Sequence, residues 1–408
     1  MRRIATLALT MSAVFLAIVA VLINSPALFY MSTALIGTLG LARLQAYWSV
    51  RSLRFERFAP PVAKLGQTVR IEIVAWSERK VRRPLIYVRD ILPSRLHAID
   101  VGPSLPIAPE FSRPIRTGYS FVARRRGVYR WQQLIVYGTD AMGLITMNGG
   151  FSTPPVEMTV APIPIPLNVE LPTGGGWGMS EMSSGQNRGS GVEPYGVREY
   201  RPGDSLRYVH WASTARRGQL LVKEFESGSQ GKAVIFIPSD ADSDIEPKPL
   251  PKEGVIYSTV DWICGHALSL LETFVRQGAS ARFPQWEGEA SRSAASERVG
   301  EAALAMARWR PSATQNYADD LRAHLSTVEA GAMVIAFVAV ANDDVAAALG
   351  EFVRRGATVA ALVYATEDWD PKFASTSAQS PGFLSQLNGL GVHAVRVPSL
   401  TGREVGVG

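Results

Sequence analysis

The chain has almost no cysteine, and this absence excludes several kinds of site. Cys264 is the only cysteine among 408 residues. A disulfide framework, a CxxC redox pair and a zinc site built from thiolates each need at least two cysteines, so none of them can form within this chain. A single cysteine fits a reducing compartment, although many exported proteins also lack disulfides.

Charged residues are scarce as well. They make up 19% of the chain against 47% apolar residues, a balance typical of a globular protein with a membrane segment. The net charge is +6, and the N-terminal part alone holds Arg2, Arg3, Arg43, Arg51, Arg54 and Arg57. The positive surplus is therefore interpreted as membrane-flanking charge, and no nucleic-acid partner is expected.

Two long apolar runs open the sequence. Ile4–Ile23 is uncharged over about 20 residues, which at 1.5 Å per residue matches the core of a bilayer. Asn24–Pro26 interrupts the pattern, and Ala27–Ala42 resumes it up to Arg43. We predict a two-span membrane hairpin over residues 1–54. Arginines flank only its outer ends, so the positive-inside rule predicts that the soluble remainder lies in the cytoplasm.

The alternative is a cleaved signal peptide followed by a single anchor. The first apolar run exceeds the roughly 7–15 residues of a signal-peptide core. The stretch after it, Asn24–Phe29, is a poor small-x-small cleavage site. Under either interpretation the chain contacts membrane lipid through its N-terminal part.

From Phe55 to about Pro166 the pattern changes to short alternating segments separated by turn residues. The strand candidates are Thr68–Trp76, Pro84–Leu92, Thr117–Arg125, Gly127–Gly138 and Val156–Pro164. Strands at this spacing predict an all-β, immunoglobulin-like sandwich over residues 55–168. The basic stretch Ala123–Gly127 is interpreted as a solvated hairpin turn, with binding of acidic lipid or a protein partner as the alternative.

Residues 169–192 are rich in glycine and serine and predict a flexible linker or loop. The glycine cluster lacks the Lys-Ser/Thr ending of a phosphate-binding P-loop, so no phosphate site is assigned to it. The remaining residues, 193–408, form the C-terminal part of the chain.

Residues 195–225 are the densest cluster of charged, aromatic and histidine side chains. The pair Pro202–Gly203 predicts a type II turn, because proline presets φ at the first central position and glycine allows a positive φ at the second. Asp204–Ser205 offers a helix cap, Leu206–Arg217 a short helix and Gln219–Phe225 a strand. The segment is thus predicted to run turn, helix, strand.

Charge argues against a nucleic-acid function for this segment. Residues 191–226 contain six basic residues, Arg198, Arg201, Arg207, Arg216, Arg217 and Lys223, and five acidic ones, Glu193, Glu199, Asp204, Glu224 and Glu226. A stripe that binds phosphates would not carry so many anions.

A catalytic site is the second possibility for the same segment. His210 could act as an acid–base group with Asp204 or Glu199. Ser213 could serve as a nucleophile, but GxSxG and HExxH motifs are absent, so no catalytic residue is assigned. We favour a third interpretation, in which arginines and carboxylates interlock around Trp211 and form a joint between domains or a docking surface.

Residues 196–225 resemble the signature of the bacterial domain of unknown function 58 family, R-E-Y-x-P-G-D-x-x-R-x-I-x-W-x-x-S-A-R-x-G-x-L-x-V-K-E. The matching positions are Arg198, Glu199, Tyr200, Pro202, Gly203, Asp204, Arg207, Trp211, Ala215, Arg216, Gly218, Leu220, Val222 and Glu224. The segment departs at Ala212, where the family commonly has a basic residue, and at Thr214, where it has serine. Residues 125–145 are similar to a second feature of the family, an RG-x-Y strand leading to a D-x-x-GL turn. The predicted partner-docking site consists of the charged, aromatic and turn residues of the motif, together with His210.

The resemblance implies a fold and a function. The family places a von Willebrand factor A-like α/β domain after this segment and commonly a two-span hairpin at the N-terminus. It implies partnership with MoxR-type AAA+ ATPases and transglutaminase-like membrane proteins at the bacterial inner membrane, and the family has no established activity. The expected function is a non-enzymatic, membrane-anchored scaffold or adaptor that docks such an ATPase on the cytoplasmic face.

The C-terminal part alternates strands with helices. The strand candidates are Lys232–Asp240, Ala332–Val340, Ala357–Ala365 and Gly391–Pro398, and the helix candidates are Gly254–Gly278, Glu297–Arg310 and Asp343–Gly356. This alternation predicts a doubly wound α/β sheet, in which ligands bind at the carboxyl ends of the strands. Cys264 and His266 point about 200° apart on a helix, so Cys264 is predicted to be a core residue rather than half of a reactive pair.

An acidic loop follows the first of these strands. Domains similar to von Willebrand factor A often bind a divalent cation through a D-x-S-x-S run, whereas Ser239–Asp244 keeps Asp240 and has Asp242 and Asp244 in place of the serines. Three carboxylates can hold a hard cation, and a solvated acidic loop is the alternative. No other cofactor is expected. The alternative function is a metal-dependent binding switch or hydrolase that uses this loop beside His210.

Overall fold

The computed structural model describes residues 2–80, 83, 85–96, 104–172, 194–200, 209–225, 232–277, 279–286 and 295–398. The chain forms two compact units. The first runs to Ala161 and includes Lys252–Val255, and the second contains the rest. Of the predicted linker 169–192, residues beyond 172 lie outside the described part of the chain.

Two helices begin the first unit: α1 spans Arg2–Ile23 and α2 spans Pro26–Ser49. Asn24 makes the turn between them with a positive φ of 49°. Both helices are long and apolar enough to cross a membrane. Their buried positions carry small side chains: Ala13, Ala20, Ser32, Ala42, Ala46 and Ser49. Small residues allow two apolar helices to approach closely, while large apolar side chains cover the outer surfaces.

Eight strands complete the first unit: β1 (Leu53–Phe58), β2 (Val62–Lys64), β3 (Thr68–Ser77), β4 (Ile86–Asp90), β5 (Ser104–Ile107), β6 (Ile115–Val122), β7 (Gly127–Thr139) and β8 (Thr146–Ala161). They form one sheet in the order β1-β3-β6 and a second in the order β2-β8-β7-β4-β5. Side chains along β1 alternate between buried and exposed, as expected of a strand with one face on a core. The buried faces of the two sheets meet, for example where Phe55 and Phe151 pack edge to face.

A buried ion pair joins the two sheets. Arg57 of β1 and Asp90 of β4 lie 2.6 Å apart, and both side chains are 0% exposed. All five N–H groups of the guanidinium have acceptors. They are the two carboxylate oxygens of Asp90, the carbonyls of Trp131 and Gln133, and the hydroxyl of Thr153. A charge that is buried without such partners would strongly destabilise the fold.

A third side chain completes this ionic network. The hydroxyl of Tyr119, on β6, donates to Asp90 Oδ2 at 2.7 Å. Burial, together with the adjacent carboxylate, raises the pKa of Tyr119 well above its ordinary value, so the phenol stays protonated as a donor. The ring of Trp131 lies 5.8 Å from the guanidinium carbon of Arg57 and adds a cation–π contact.

The basic stretch Ala123–Gly127 is not a solvated turn, so that prediction is wrong. Arg124, Arg125 and Arg126 are all buried. The backbone of Ala123 exchanges hydrogen bonds with the loop before β3, and the hydroxyl of Tyr129 donates to the carbonyl of Arg125 at 2.8 Å. These bonds hold the stretch inside the unit, where the long aliphatic stems of the arginines are covered.

The end of α2 is tied to the strands of its own unit. Arg83 donates from Nη1 to the carbonyls of Trp48 and Ser49, at 2.7 and 3.0 Å, and so caps the helix C-terminus. Gly138 of β7 is required at this junction, because a Cβ there would lie 2.0 Å from the hydroxyl oxygen of Ser49.

The second unit contains a parallel sheet with helices on both faces. Its first part consists of β9 (Pro194–Glu199), α3 (Trp211–Arg217) and β10 (Leu221–Phe225). The sheet strands are β11 (Lys232–Phe236), β12 (Ser280–Arg282), β13 (Met333–Val338), β14 (Thr358–Val363) and β15 (His393–Arg396). The remaining helices are α4 (Thr259–Arg276), α5 (Ala295–Arg308), α6 (Tyr317–Ala323), α7 (Asp343–Arg354) and α8 (Pro381–Gly389).

The order of the sheet is β12-β11-β13-β14-β15, with every pair parallel. One hydrophobic core contains Ile235 of β11 with residues of α4 and α5, and the other contains Phe236 with residues of α6, α7 and α8. Consecutive residues of β11 thus enter opposite cores, which is why this strand reads as a continuous apolar run. The predicted α/β region with a parallel sheet is confirmed. Cys264 is fully buried, as predicted.

The buried ion pair generates a stability prediction. Asp90→Asn leaves the Arg57 charge buried without a counter-charge and should lower the free energy of unfolding by about 3–5 kcal/mol. Arg54→Met is the matched control, because Arg54 pairs with Glu78 at the surface and should cost less than about 1 kcal/mol. Denaturant unfolding of the full chain in detergent measures both. Equal losses in the two variants would contradict the account.

Candidate functional site

The signature segment forms a small ribbon with one helix. Strands β9 and β10 pair antiparallel, with Arg198 opposite Val222 and Glu199 opposite Leu221. The N–H of Tyr200 extends the ribbon by donating to the carbonyl of Leu220 at 2.9 Å. Glu224 lies farther along β10. Pro202, Gly203, Asp204 and Arg207 lie outside the described residues, and so does the predicted turn.

The residues before α3 return to this ribbon. Val209 bridges to Val222, and the N–H of His210 donates to the carbonyl of Leu221 at 2.8 Å. Val209, Leu221 and Val222 are buried. The helix therefore begins at Trp211, and the prediction of a helix over Leu206–Arg217 is wrong at its start, because Val209 is held in a β-bridge.

Both ends of α3 are capped by side-chain or backbone groups. Nδ1 of His210 accepts the N–H of Ser213 at 3.1 Å, which makes this imidazole the N-cap. Gly218 ends the helix with a φ of +70°, a conformation that glycine adopts without strain. The hydroxyl of Thr214 accepts the N–H of Leu221 at 3.0 Å and fastens the helix to β10.

The outer face of α3 carries an exposed tryptophan. Trp211 is 67% exposed, and α3 has no buried residue. At 100° per residue, Trp211, Ala212 and Ala215 lie within one third of the helix circumference. Arg216 borders this arc, and Leu220, which follows the helix, is 43% exposed. We call Trp211, Ala212, Ala215, Arg216 and Leu220 the outer face.

The charged side chains of this segment other than Arg216 and Arg217 lie outside the described part of the chain, so the ionic network expected around Trp211 stays a prediction. Arg216 and Arg217 are exposed and, among the described residues, make no ion pair. Ser213 and Thr214 are half-buried, whereas the side chain of Trp211 is exposed. The proposed catalytic use of His210 gains no support either, because its Nδ1 accepts a backbone N–H.

The acidic loop after β11 is a single helical turn. Asp240 precedes it, and Ser243 donates from its hydroxyl to Asp240 Oδ2 at 2.8 Å. Asp242 is exposed, whereas Asp240 and Asp244 are half-buried. Among the residues that the structure describes, no group of three or more histidine, cysteine, aspartate or glutamate side chains is placed to hold a metal ion. The metal hypothesis for Asp240, Asp242 and Asp244 therefore stays a prediction.

Two glutamines that the sequence did not single out occupy the carboxyl ends of the sheet strands. Gln285 accepts the N–H of Ile237 at 3.0 Å and donates to the carbonyl of the same residue at 2.6 Å. Gln379 donates to the carbonyls of Val363 and Val397, at 3.0 and 2.8 Å. Backbone groups of Ile237, Val363 and Val397 at this edge are thus bonded to the chain's own side-chain amides. A lone glutamine in a loop carries no pattern that could have indicated this role.

Known proteins share the segment described above. The family model described as "Protein of unknown function DUF58" matches residues 196–260, from β9 to the start of α4. The chain is also similar to "Uncharacterized protein YeaD" of Bacillus subtilis (strain 168), with 26% identity over 211 residues. Residues 196–260 are thus a DUF58 segment. The region matched to the relative covers 50% of this chain and 52% of that protein, so the chain spans about half the length of the curated relative.

Solved structures add no functional argument for this chain. The CARDB domain of PF1109 from Pyrococcus furiosus is similar at 13% identity and a TM-score of 0.16, over 25% of this chain and 86% of that one. A β-glucosidase from Listeria innocua is similar at 10% identity and a TM-score of 0.16, over 25% and 16%. Scores this low do not establish a shared fold.

The acidic loop generates a binding prediction. Titration calorimetry of the full chain with Mg²⁺, Ca²⁺ and Mn²⁺ should give no saturable heat, because the loop carboxylates are not gathered around one point and Asp240 already accepts a hydroxyl. A saturable heat that disappears in the triple variant Asp240→Asn, Asp242→Asn, Asp244→Asn would overturn this expectation and support a metal-dependent function.

Proposed function

We propose that this chain is a non-enzymatic, membrane-anchored scaffold that binds a partner protein through the outer face of α3. The observation that carries the proposal is the exposure of Trp211 on a helix whose two ends are capped and whose inner side is fastened to β10. Tryptophan and arginine are enriched among the residues that dominate binding energy at protein interfaces. Here Trp211 and Arg216 are both exposed on α3, which is hydrogen-bonded to β10.

The side chains of the outer face indicate what kind of partner surface would bind it. Trp211 and Leu220 offer apolar area, and Arg216 adds a positive charge that has no ion-pair partner among the described residues. A complementary surface has an apolar pocket for the indole and acidic residues at its rim. The family resemblance makes a MoxR-type AAA+ ATPase the first candidate and a transglutaminase-like membrane protein the second.

Anchoring and location are part of the same proposal. The helices α1 and α2 would cross the bacterial inner membrane, with the rest of the chain on the cytoplasmic side, as the positions of the arginines at the outer ends indicate. The strands of the first unit would form an immunoglobulin-like sandwich. The second unit would be a von Willebrand factor A-like domain without the usual D-x-S-x-S run.

The carboxyl ends of the parallel strands support a binding role over an enzymatic one. Doubly wound sheets bind their ligands at this edge. In the described part of this sheet, Gln285 and Gln379 bond backbone groups at the ends of β11, β14 and the segment after β15.

The docking function predicts a defined loss of affinity. The double variant Trp211→Ala, Arg216→Glu should weaken binding of a purified MoxR-type ATPase by about 30-fold or more, which corresponds to about 2 kcal/mol. The control variant Leu250→Ala, Arg354→Glu removes an exposed apolar side chain and reverses an exposed arginine elsewhere in the second unit. Surface binding assays on full chains in detergent measure both affinities.

Two outcomes of these binding measurements would contradict the proposal, once an unfolding measurement has shown that the variant is folded. The unfolding midpoint of the Trp211 variant should equal that of the unmodified chain, because α3 buries no residue. If affinity is unchanged while the fold is intact, α3 is not the docking surface. If the control variant loses as much affinity as the Trp211 variant, the loss reflects charge alone.

A further inference from the structure

A group of basic side chains lies near the C-terminal end of α2 and the end of β3. The two segments are joined through their backbones, because Leu53 lies opposite Ser77 in the sheet and the N–H of Glu78 donates to the carbonyl of Ser52 at 3.0 Å. Within the described part of the chain their unpaired or helix-capping basic residues are Arg51, Arg79, Lys80 and Arg83, which we call the basic collar. The docking function proposed above makes no use of them.

The basic collar lacks counter-charges among the described residues. Glu78 precedes Arg79, and its carboxylate is already paired with Arg54 at 2.5 Å. Glu110, whose carbonyl accepts the N–H of Ser77, is paired with Arg113 at 3.2 Å. Arg79 and Lys80 are exposed and make no ion pair in the described part of the chain. Burial, together with the charge of Arg79, lowers the pKa of Arg83, although a guanidinium still stays charged at any physiological pH. Like charges held together without a carboxylate form a site for an anion.

Two residues of the basic collar, Arg83 and Arg51, contact the C-terminal end of α2. Arg83 is held by its two hydrogen bonds to the carbonyls of Trp48 and Ser49. The guanidinium of Arg51 lies 4.3 Å above the ring of Tyr47. Tyr47 and Trp48 are exposed aromatic residues of the kind that lie at the headgroup level of a bilayer. If α2 spans the membrane, the collar therefore lies among the headgroups.

We propose that the basic collar binds the phosphate of an anionic phospholipid headgroup at the point where α2 leaves the bilayer. The proposal rests on the membrane anchoring proposed above. Guanidinium groups bind phosphate oxygens through paired N–H donors, and basic residues next to a membrane span are each worth about a fivefold gain in affinity for an anionic membrane. The bound lipid would hold the first unit close to the membrane surface.

The test measures lipid binding to the full chain in non-ionic detergent by native mass spectrometry. Phosphatidylglycerol is the anionic probe and phosphatidylcholine the zwitterionic one. The variant Arg79→Gln, Lys80→Gln should bind phosphatidylglycerol about tenfold or more weakly, and 0.5 M salt, at roughly a 4 Å screening length, should have a similar effect. Both side chains are exposed, so the fold should be unaffected.

A matched variant provides the control. Lys64→Gln, Arg70→Gln removes the same two residue types from the same unit, and both are exposed. Arg70 lies about 23 Å along β3 from Ser77, at about 3.3 Å per residue. Phosphatidylglycerol binding should be unchanged in this variant. Equal losses in both variants, equal binding of the two lipids, or displacement of the lipid by inorganic phosphate at the same concentration would overturn the assignment.

Flotation separates this inference from the anchoring on which it rests. The full chain is mixed with phosphatidylcholine vesicles and centrifuged through a density gradient. A chain that does not float has no membrane anchor, and both proposals fail. A chain that floats but shows no preference for phosphatidylglycerol keeps its anchor, and only the lipid site of the basic collar is lost.

Discussion

The guanidinium of Arg57 is buried from water, and the packing of the two sheets of the first unit supplies its hydrogen-bond acceptors. Its acceptors on Asp90, Thr153 and two backbone carbonyls come from three strands of the opposite sheet, so the sheets must pack in the register that brings these groups together. No disulfide is available to set that register. The same rule governs the second unit, where Gln285 and Gln379 bond backbone groups at the ends of the parallel strands. In both units these particular buried polar groups are thus bonded by the chain's own side chains.

The signature segment differs from the rest of the chain in the side chains that it leaves exposed to solvent. Beneath α3 the buried backbone groups of the ribbon are hydrogen-bonded, since Val209, Leu221 and Val222 are buried and paired. On the outer side, Trp211 and Arg216 are exposed and, within the described residues, unpaired. A side chain that does nothing for the stability of its own fold is free to contribute to binding a partner. This contrast is the physical basis of the proposed docking function.

The sequence predicts this structure best where one local period dominates. The apolar helices and the parallel strands follow from such periods. Local structure moved the boundaries. The helix expected from Gly254 starts at Thr259, because Ser258 caps it. Strand β8 starts at Thr146, because Gly149 and Gly150 pair with β7 and a register shift accommodates Pro154 and Pro155. The motif located the candidate site, yet whether Trp211 faces inward or outward depends on three-dimensional packing around a helix of two turns. No pattern in a single sequence contains that information.

The central claim is that the outer face of α3 contacts another protein. The most direct measurement replaces Trp211 with a photoreactive benzoyl-phenylalanine in living cells, irradiates them, and identifies the protein joined at that position. The account predicts a crosslink to a second protein from position 211 and none to that protein from the exposed position Leu250 of the same unit. Crosslinks from position 211 that join only residues of this chain would show that Trp211 faces its own interior and would contradict the account.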